Sequence, residues 1–194
     1  MNPGSPHMLD RVRERIGGRT APPLEQADAA VLLALTAQAS PHLILTLRAA
    51  HMSTHPGEVA FPGGRRDPRD PDLVHTALRE SHEEIALEPQ CVEVIGALPG
   101  RITRFGVRVC PVVAIVPPRL RLEPNRAELD EVYRIPLSYF MSRSNLHIER
   151  VLHQGREKDV PWFPWGERRV WGLTALMLID LLEAAFDFHV ELLR

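Results

Sequence analysis

Two apolar segments near the N-terminus, separated by only a few polar residues, most limit the folds open to this chain. Residues 29–37 (AAVLLALTA) and 41–49 (PHLILTLRA) are rich in aliphatic side chains, and the tripeptide QAS lies between them. Apolar runs of this length with a short polar connection are typical of two antiparallel strands joined as a hairpin. The pattern therefore predicts a sheet whose first two strands pair with each other.

Further apolar segments extend this sheet, and three segments have their apolar residues at helical spacing. Strands are predicted at 58–61, 91–98, 106–116, 131–140, 145–153 and 159–165, the last two as a hairpin. Helices are predicted at 8–16, 72–87 and 170–188. Gly63 and Gly64 are predicted to form a turn, and the chain is expected to become helical after Pro136. Because strands and helices do not alternate regularly, the pattern predicts an α+β fold.

Length and composition predict a single domain over residues 8–194, with an ordinary balance of 44% hydrophobic and 25% charged residues. The polar residues 1–7 are expected to have been added for expression. A net charge of −2 gives no bulk attraction to nucleic acid or to an anionic membrane, and no apolar run is long enough for a membrane span. Cys91 and Cys110 form no CxxC pair, so a reducing, cytoplasmic location is expected.

The segment RESHEE, residues 79–84, places three carboxylates on one predicted helix. Glu80 lies three residues before Glu83 and four before Glu84, so the three side chains can face one point. Such neighbours repel each other, and a hard divalent cation such as Mg²⁺, which prefers oxygen ligands, would remove the repulsion. Taken alone, the cluster is more typical of a solvated helix face. Arg79 can tether an acid from the preceding loop, Asp70 or Asp72.

The distance between this helix and the glycine pair makes the pattern more specific. Together the two elements resemble the box motif of the Nudix hydrolases, and the matching residues are Gly64, Asp70, Arg79, Glu80, Glu83 and Glu84. Asp70 stands where the family usually has glutamate, and its spacing to Arg79 is one residue longer than usual. Both departures are features of the coenzyme A diphosphatase branch. Ser81 replaces a hydrophobic residue, and Ala86 replaces the glycine that ends the motif.

The flanking segments resemble the same branch. Upstream, residues 43–64 (LILTLRAAHMSTHPGEVAFPGG) are similar to a motif of this branch, although Ser53 stands in place of an arginine. Downstream, segments 103–113, 123–140 and 171–175 are similar as well, so the likeness extends over residues 28–180.

The resemblance implies the Nudix fold, a mixed β-sheet sandwiched between helices (α/β/α). It implies Mg²⁺-dependent hydrolysis of coenzyme A or its derivatives to adenosine 3′,5′-bisphosphate and 4′-phosphopantetheine, with Mn²⁺ as an alternative cofactor. The implied metal ligands are Glu80, Glu83, Glu84 and the carbonyl of Gly64, while Arg79 positions the carboxylates. Glu83 is the first choice for the general base, and Glu128 is a distal candidate.

The implied partner is a small-molecule substrate, with neither nucleic acid nor membrane. Candidate substrate-binding residues are Arg48, Gly63, Gly64 and Arg66. Three alternatives stay open at this point. The chain can hydrolyse another nucleoside diphosphate derivative, such as ADP-ribose or a dinucleoside polyphosphate. It can be a non-catalytic module that binds a nucleotide, or the acidic helix can be purely structural.

Overall fold

The structure is a computed structural model that describes residues 8–18, 27–52, 54–153 and 155–193. The expectations for residues 1–7 and for Ser53 lie outside the described residues. The helices are α1 (Met8–Ile16), α2 (Leu73–Ile85), α3 (Leu137–Phe140) and α4 (Gly172–Phe186). The strands are β1 (Ala29–Thr36), β2 (His42–Arg48), β3 (Val59–Ala60), β4 (Gly63–Arg65), β5 (Glu93–Ala97), β6 (Arg101–Ile102), β7 (Arg108–Val116), β8 (Leu129–Pro136), β9 (His147–His153), β10 (Arg156–Trp165) and β11 (Arg168–Trp171).

The main sheet is mixed. Its strand order is β3-β2-β1-β7-β5, while β4 pairs with β1, β6 with β7 and β8 with β2. Strands β1 and β7 run parallel, and the predicted hairpin of β1 and β2 is antiparallel. A second sheet is an antiparallel meander in the order β11-β10-β9. The α+β prediction is confirmed.

Helices cover both faces of the main sheet. Leu32 and Ile44 pack on one face in the same cluster as Leu73 of α2. On the other face, Leu33 packs in a cluster with Leu178 of α4 and with residues of α1. Successive strand residues point to opposite faces, so a strand buried on both sides reads as a continuous apolar run. This is the α/β/α layering that was expected.

Three short strands lie where the sequence predicted something else. Gly63 and Gly64 belong to β4, which pairs with β1, instead of forming a turn. Strand β6 lies in a predicted loop, and β11 occupies the start of the predicted C-terminal helix. Each is four residues or shorter and is defined by pairing with a longer neighbour. Local sequence carries little signal for strands this short. For β4 the partner strand, β1, is also distant in the chain.

Candidate active site

Helix α2 is fixed at both ends by its own sequence. Asp72 caps the N-terminus, and its Oδ1 accepts a hydrogen bond of 2.8 Å from the backbone N–H of His75. At the C-terminus, Ala86 adopts the left-handed conformation with φ 53°, and its N–H donates to the carbonyl of His82. Glycine is usual at this position, since a β-carbon is strained in that conformation.

The glycine pair lets β4 approach both β1 and α2 closely. At Gly63, φ is 148°, and a β-carbon there would collide with the backbone of Ala30 and Val31 in β1. At Gly64, a β-carbon would collide with the carboxylate of Glu80. The two glycines therefore bring the acidic face of α2 against the backbone of β4.

Arg79 joins four groups around the start of α2. Its Nε and Nη2 donate to the two carboxylate oxygens of Asp70 at 3.0 and 2.9 Å, and Nη2 also donates to the carbonyl of Arg65. Its Nη1 lies 2.9 Å from Oε1 of Glu80 and 3.2 Å from Oε2 of Glu83. The bidentate contact explains why Asp70, and not Asp72, is the tethered acid.

Asp70 is buried, and its charge is well satisfied. Besides Arg79, it accepts hydrogen bonds of 2.9 Å from the Thr76 hydroxyl and from the backbone N–H of Asp67. The Arg79 guanidinium holds the pKa of this carboxyl far below its usual range, and the pKa of Arg79 is raised in return. The loop between β4 and α2 is thus anchored on the helix through one ion pair.

Glu84 is the most buried of the acids, with 5% of its surface exposed. Its Oε2 accepts a hydrogen bond of 2.9 Å from the backbone N–H of Gly63. Burial raises the pKa of Glu84 to about 7; the charge of Arg48 opposes this rise, and those of Glu80 and Glu128 add to it. Three charged side chains therefore act on Glu84: Arg48 of β2, Glu80 of α2 itself, and Glu128 of the loop before β8.

Glu80 lies beside Glu84 and is mostly buried against Gly64. Burial raises the pKa of Glu80, the contact with Arg79 lowers it, and the charges of Glu83 and Glu128 raise it further. A carboxylate placed among other carboxylates in a shielded site needs a positive charge nearby.

The loop that carries Glu128 is fixed to the site at both ends. The backbone N–H of Asn125 donates to the carbonyl of Glu84 at 2.8 Å, and the N–H of Ala49 donates to the carbonyl of Glu128 at 2.8 Å. Glu128 itself is half-buried. These bonds place the distal acid next to the residue that follows Arg48.

Other candidates have different surroundings. The side chain of Glu83 is 55% exposed and binds Arg79. Arg66 donates to the carbonyls of Asp70 and Pro71 at 3.2 and 3.1 Å, so it braces the loop. His82 lies 3.4 Å from Glu88 and is not among the contacts around Glu84.

Oxygen donors of this kind suit Mg²⁺, which prefers carboxylate and carbonyl ligands. Among the residues that the structure describes, no group of three or more His, Cys, Asp or Glu side chains is gathered to hold a metal ion. The contacts explain this: Arg79 holds Glu80 and Glu83, while the Gly63 N–H holds Glu84. In this arrangement Arg79 supplies positive charge to Glu80 and Glu83. Glu84 makes its hydrogen bond to a backbone N–H and lies beside Glu80, so this pair of shielded carboxylates fits a cation.

Sequence reasoning missed two contacts of this site. It did not assign the Gly63 N–H as the anchor of Glu84, because an amide donor leaves no trace in residue identity. It also missed the Thr76 hydroxyl on Asp70. The position of Thr76, one turn before Arg79 on α2, was the available signal.

The chain is similar to known proteins in sequence and in fold. Residues 26–166 match the model of the NUDIX domain. The chain is 42% identical over 159 residues to "Uncharacterized Nudix hydrolase NudL" of Enterobacter sp. (strain 638), covering 81% of this chain and 82% of that protein. It is 40% identical over 176 residues to the protein of the same description from Salmonella typhimurium, covering 90% and 91%. The crystal structure of the Nudix hydrolase RenU from M. smegmatis is similar with a TM-score of 0.49 and 24% identity, over 58% of this chain and 72% of RenU.

The chain belongs to the Nudix family. It is a Nudix hydrolase, an enzyme that cleaves the diphosphate bond of a nucleoside diphosphate linked to another group. Enzymes of this family generally use divalent metal ions such as Mg²⁺. Among the described residues, no helix combines the length and the apolar character needed to cross a membrane.

Proposed function

We propose that this Nudix hydrolase cleaves the diphosphate bond of coenzyme A, or of a derivative, to adenosine 3′,5′-bisphosphate and 4′-phosphopantetheine. The substrate assignment rests on residues 43–64, which resemble the coenzyme A diphosphatase motif and include Arg48. The observation that carries it is the place of Arg48 at the end of β2, where the N–H of the next residue, Ala49, donates to the carbonyl of Glu128 at 2.8 Å. A guanidinium beside the acids can bind a phosphate at the place where the bond is cleaved.

Glu80, Glu84 and Glu83, with the carbonyl of Gly64, are the residues that would hold Mg²⁺, and Mn²⁺ is the alternative. A bound divalent cation supplies positive charge against the diphosphate and lowers the pKa of water. The protein's part is to keep the acids in place. Arg79 positions Glu80 and Glu83 through its contacts, and the Gly63 N–H orients Glu84. Gly63 and Gly64 carry no side chains, and this lets β4 lie directly against β1 and the Glu80 carboxylate.

The contacts around the site favour Glu128 over Glu83 as general base. The Glu83 side chain is 55% exposed, and its Oε2 already lies 3.2 Å from Nη1 of Arg79. The loop of Glu128 is fixed to the site by backbone hydrogen bonds to Glu84 and Ala49, and the charge of Glu128 raises the pKa of both Glu80 and Glu84. A base held near the reacting water contributes typically 10²–10⁴-fold to the rate.

A second candidate substrate is another nucleoside diphosphate derivative, such as ADP-ribose. Ser53 favours this alternative, because the coenzyme A branch has an arginine at that position and serine offers no positive charge to a phosphate.

The test of the catalytic assignment is Glu84→Gln, which keeps the shape of the side chain and its hydrogen bond to Gly63. With coenzyme A and Mg²⁺, we expect the variant to lose turnover by orders of magnitude while its circular dichroism spectrum stays that of the wild type. Glu88→Gln, which changes an exposed acid shortly after the same helix, is the matched control and should retain activity. Full activity of Glu84→Gln would show that Glu84 has no part in catalysis.

A further inference from the structure

A cavity outside the acidic site lies between the meander of β9, β10 and β11 and the loop that precedes β3. Its volume is about 380 Å³. The lining residues are Gly57, Glu149, Val160, Trp162, Glu167, Arg168, Arg169 and Trp171. None of them belongs to the acidic site described above.

The alternation of strand residues gives the meander two different faces. Phe163 and Val170 point to the core and are fully buried in the cluster that contains α4. Residues of the other parity, such as Val160, Trp162 and Trp171, line the cavity instead. The strand pairing thus places a row of large side chains on the face of the meander that is turned away from α4.

Three aromatic rings form this row. Trp162 lies directly opposite His147 on one side and Trp171 on the other in the strand register. The ring of His147 stacks on Trp162 at 4.3 Å and 19°, and the guanidinium of Arg169 lies 4.2 Å from the centre of the Trp162 ring. These contacts fix Trp162. Trp171, by contrast, is 43% exposed and offers an indole surface to a ligand.

The polar groups of the cavity suit a planar heterocycle better than a bare anion. Two carboxylates, Glu149 and Glu167, face two guanidinium groups, and Arg169 binds Glu149 at 3.0 Å. The balanced charges give no net attraction for a phosphate, but they provide both acceptors and donors beside an aromatic wall. In addition, the buried N–H of Trp162 has no hydrogen-bond acceptor within the part of the chain that the structure describes. A nucleobase presents the matching flat surface, ring nitrogens and exocyclic donors.

The cavity is connected to the acidic site through one loop. Gly57, in the cavity wall, donates its backbone N–H to the carbonyl of Arg48 at 3.1 Å. The residue after Arg48, Ala49, donates its N–H to the carbonyl of Glu128 at 2.8 Å, and the loop of Glu128 is hydrogen-bonded to Glu84 through the N–H of Asn125. A substrate whose diphosphate lies at Arg48 can therefore extend one end past Gly57 toward Trp171.

We propose that this cavity is a nucleobase subsite in which Trp171 stacks on the base of the substrate. For coenzyme A the base is adenine, and the pantetheine arm then leaves in another direction. The inference rests on the proposed function only in requiring a substrate that carries a nucleobase. It predicts that the preference for one nucleobase over another is set by the meander and not by α2, the helix that carries the box motif.

The test compares Trp171→Leu, which keeps an apolar side chain without a ring, with Trp171→Phe, which keeps the stacking surface. Each is assayed with two competitive inhibitors, adenosine 3′,5′-bisphosphate and 4′-phosphopantetheine. We expect Trp171→Leu to weaken inhibition by the bisphosphate about tenfold, the effect of losing one stacked base, and to leave inhibition by 4′-phosphopantetheine unchanged. Trp171→Phe should restore most of the affinity. Leu152→Ser, at a position 76% exposed on the same meander and outside the cavity, is the control and should change neither value.

Unchanged inhibition by the bisphosphate in Trp171→Leu would overturn the proposal, and so would a loss confined to 4′-phosphopantetheine. If wild-type protein fails to cleave coenzyme A, the proposed substrate is wrong but the subsite is still tested. In that case AMP is titrated while tryptophan fluorescence is recorded. Quenching in the wild type that disappears in Trp171→Leu supports the subsite, and identical titrations in the two proteins reject it.

Discussion

At the scale of single residues, the backbone of Ala86 is strained, and we expect that this strain can be removed without a change in catalytic activity. It holds the left-handed conformation at φ 53°, which costs a residue with a β-carbon about 1–2 kcal/mol. Ala86→Gly removes this strain, and part of the gain is offset by the greater freedom of glycine in the unfolded chain. We expect the free energy of unfolding to rise by about 0.5–1 kcal/mol in urea titrations, with kcat unchanged.

The control for that substitution is Ala184→Gly, in the last turn of α4. There glycine brings its entropic cost and removes a partly buried methyl group, so the free energy of unfolding should fall by about 1 kcal/mol or more. If the same alanine-to-glycine change raises the free energy of unfolding at residue 86 and lowers it at residue 184, the difference reports the conformational strain at Ala86. A loss of stability in Ala86→Gly would contradict the assigned conformation.

The two candidate bases make a second comparison at the residue scale. Glu128→Gln should lower kcat by about 10²–10⁴-fold, because a positioned base is lost. Glu83→Gln should have the smaller effect, since the Glu83 side chain is exposed and bound by Arg79. Steady-state kinetics of both variants at saturating Mg²⁺ decide between them. A larger loss of kcat in Glu83→Gln than in Glu128→Gln would identify Glu83, in α2, as the general base.

What the sequence predicted of the site differs from residue to residue. Helical spacing was enough to place Glu80 and Glu84 side by side. For the acid that Arg79 binds, the sequence left two candidates, Asp70 and Asp72, and did not decide between them. The position of Glu128 beside these acids could be suggested only by resemblance, because the backbone bonds that fix its loop join distant segments. Nothing in the sequence indicated that the Gly63 N–H donates a hydrogen bond to Glu84.

At the scale of secondary-structure elements, the pair of Asp70 and Arg79 attaches the loop after β4 to α2. Asp70→Asn should lower the free energy of unfolding by about 2 kcal/mol at pH 7, since two charge-assisted hydrogen bonds are weakened in a buried place. The pKa of Asp70 is depressed in the folded state, so this contribution is complete above the ordinary carboxyl pKa of about 4 and is lost as the pH falls below it. Thermal unfolding of both proteins between pH 7 and pH 2 should show the difference in Tm shrinking at the acid end.

Asp67→Asn provides the comparison for this pH dependence. Asp67 binds Arg69 at the surface, where ion pairs contribute little. The pKa of Asp67 is also lowered, to about 2, by its hydrogen bond with Arg69, but at the surface this pair is screened, so the Tm should stay close to that of the wild type across the range. A difference between Asp70→Asn and the wild type that stays constant down to pH 2 would show that Asp70 acts through packing and not through its charge.

Elements with a strong local pattern were predictable, and those defined by distant partners were not. Helix α2 was placed correctly because Asp72 caps it and its apolar residues recur on one face. Strand β4 was missed because a glycine pair is typical of a turn, and only the pairing of Gly63 with Val31 makes it a strand. Strand β11 was read as helix since Val170 and Trp171 continue the apolar run into α4.

At the scale of the whole molecule, the acidic site joins three segments that are distant in sequence, so a bound cation should stabilise the entire fold. A ligand present at 100 times its Kd stabilises the native state by about 2.7 kcal/mol. We expect Mg²⁺ to raise the Tm of the wild type and of Glu88→Gln, and to raise that of Glu84→Gln much less. Differential scanning fluorimetry across a Mg²⁺ titration measures this effect. Equal shifts in all three proteins would place the cation elsewhere.

The substrate is the central claim, and a comparison of kcat/KM tests it most directly. Coenzyme A, 3′-dephospho-coenzyme A, ADP-ribose and a dinucleoside polyphosphate are each hydrolysed with saturating Mg²⁺, and the products are identified by mass spectrometry. The proposed function predicts the highest kcat/KM for coenzyme A, with adenosine 3′,5′-bisphosphate and 4′-phosphopantetheine as products. A higher kcat/KM for ADP-ribose or for the 3′-dephospho form would contradict it.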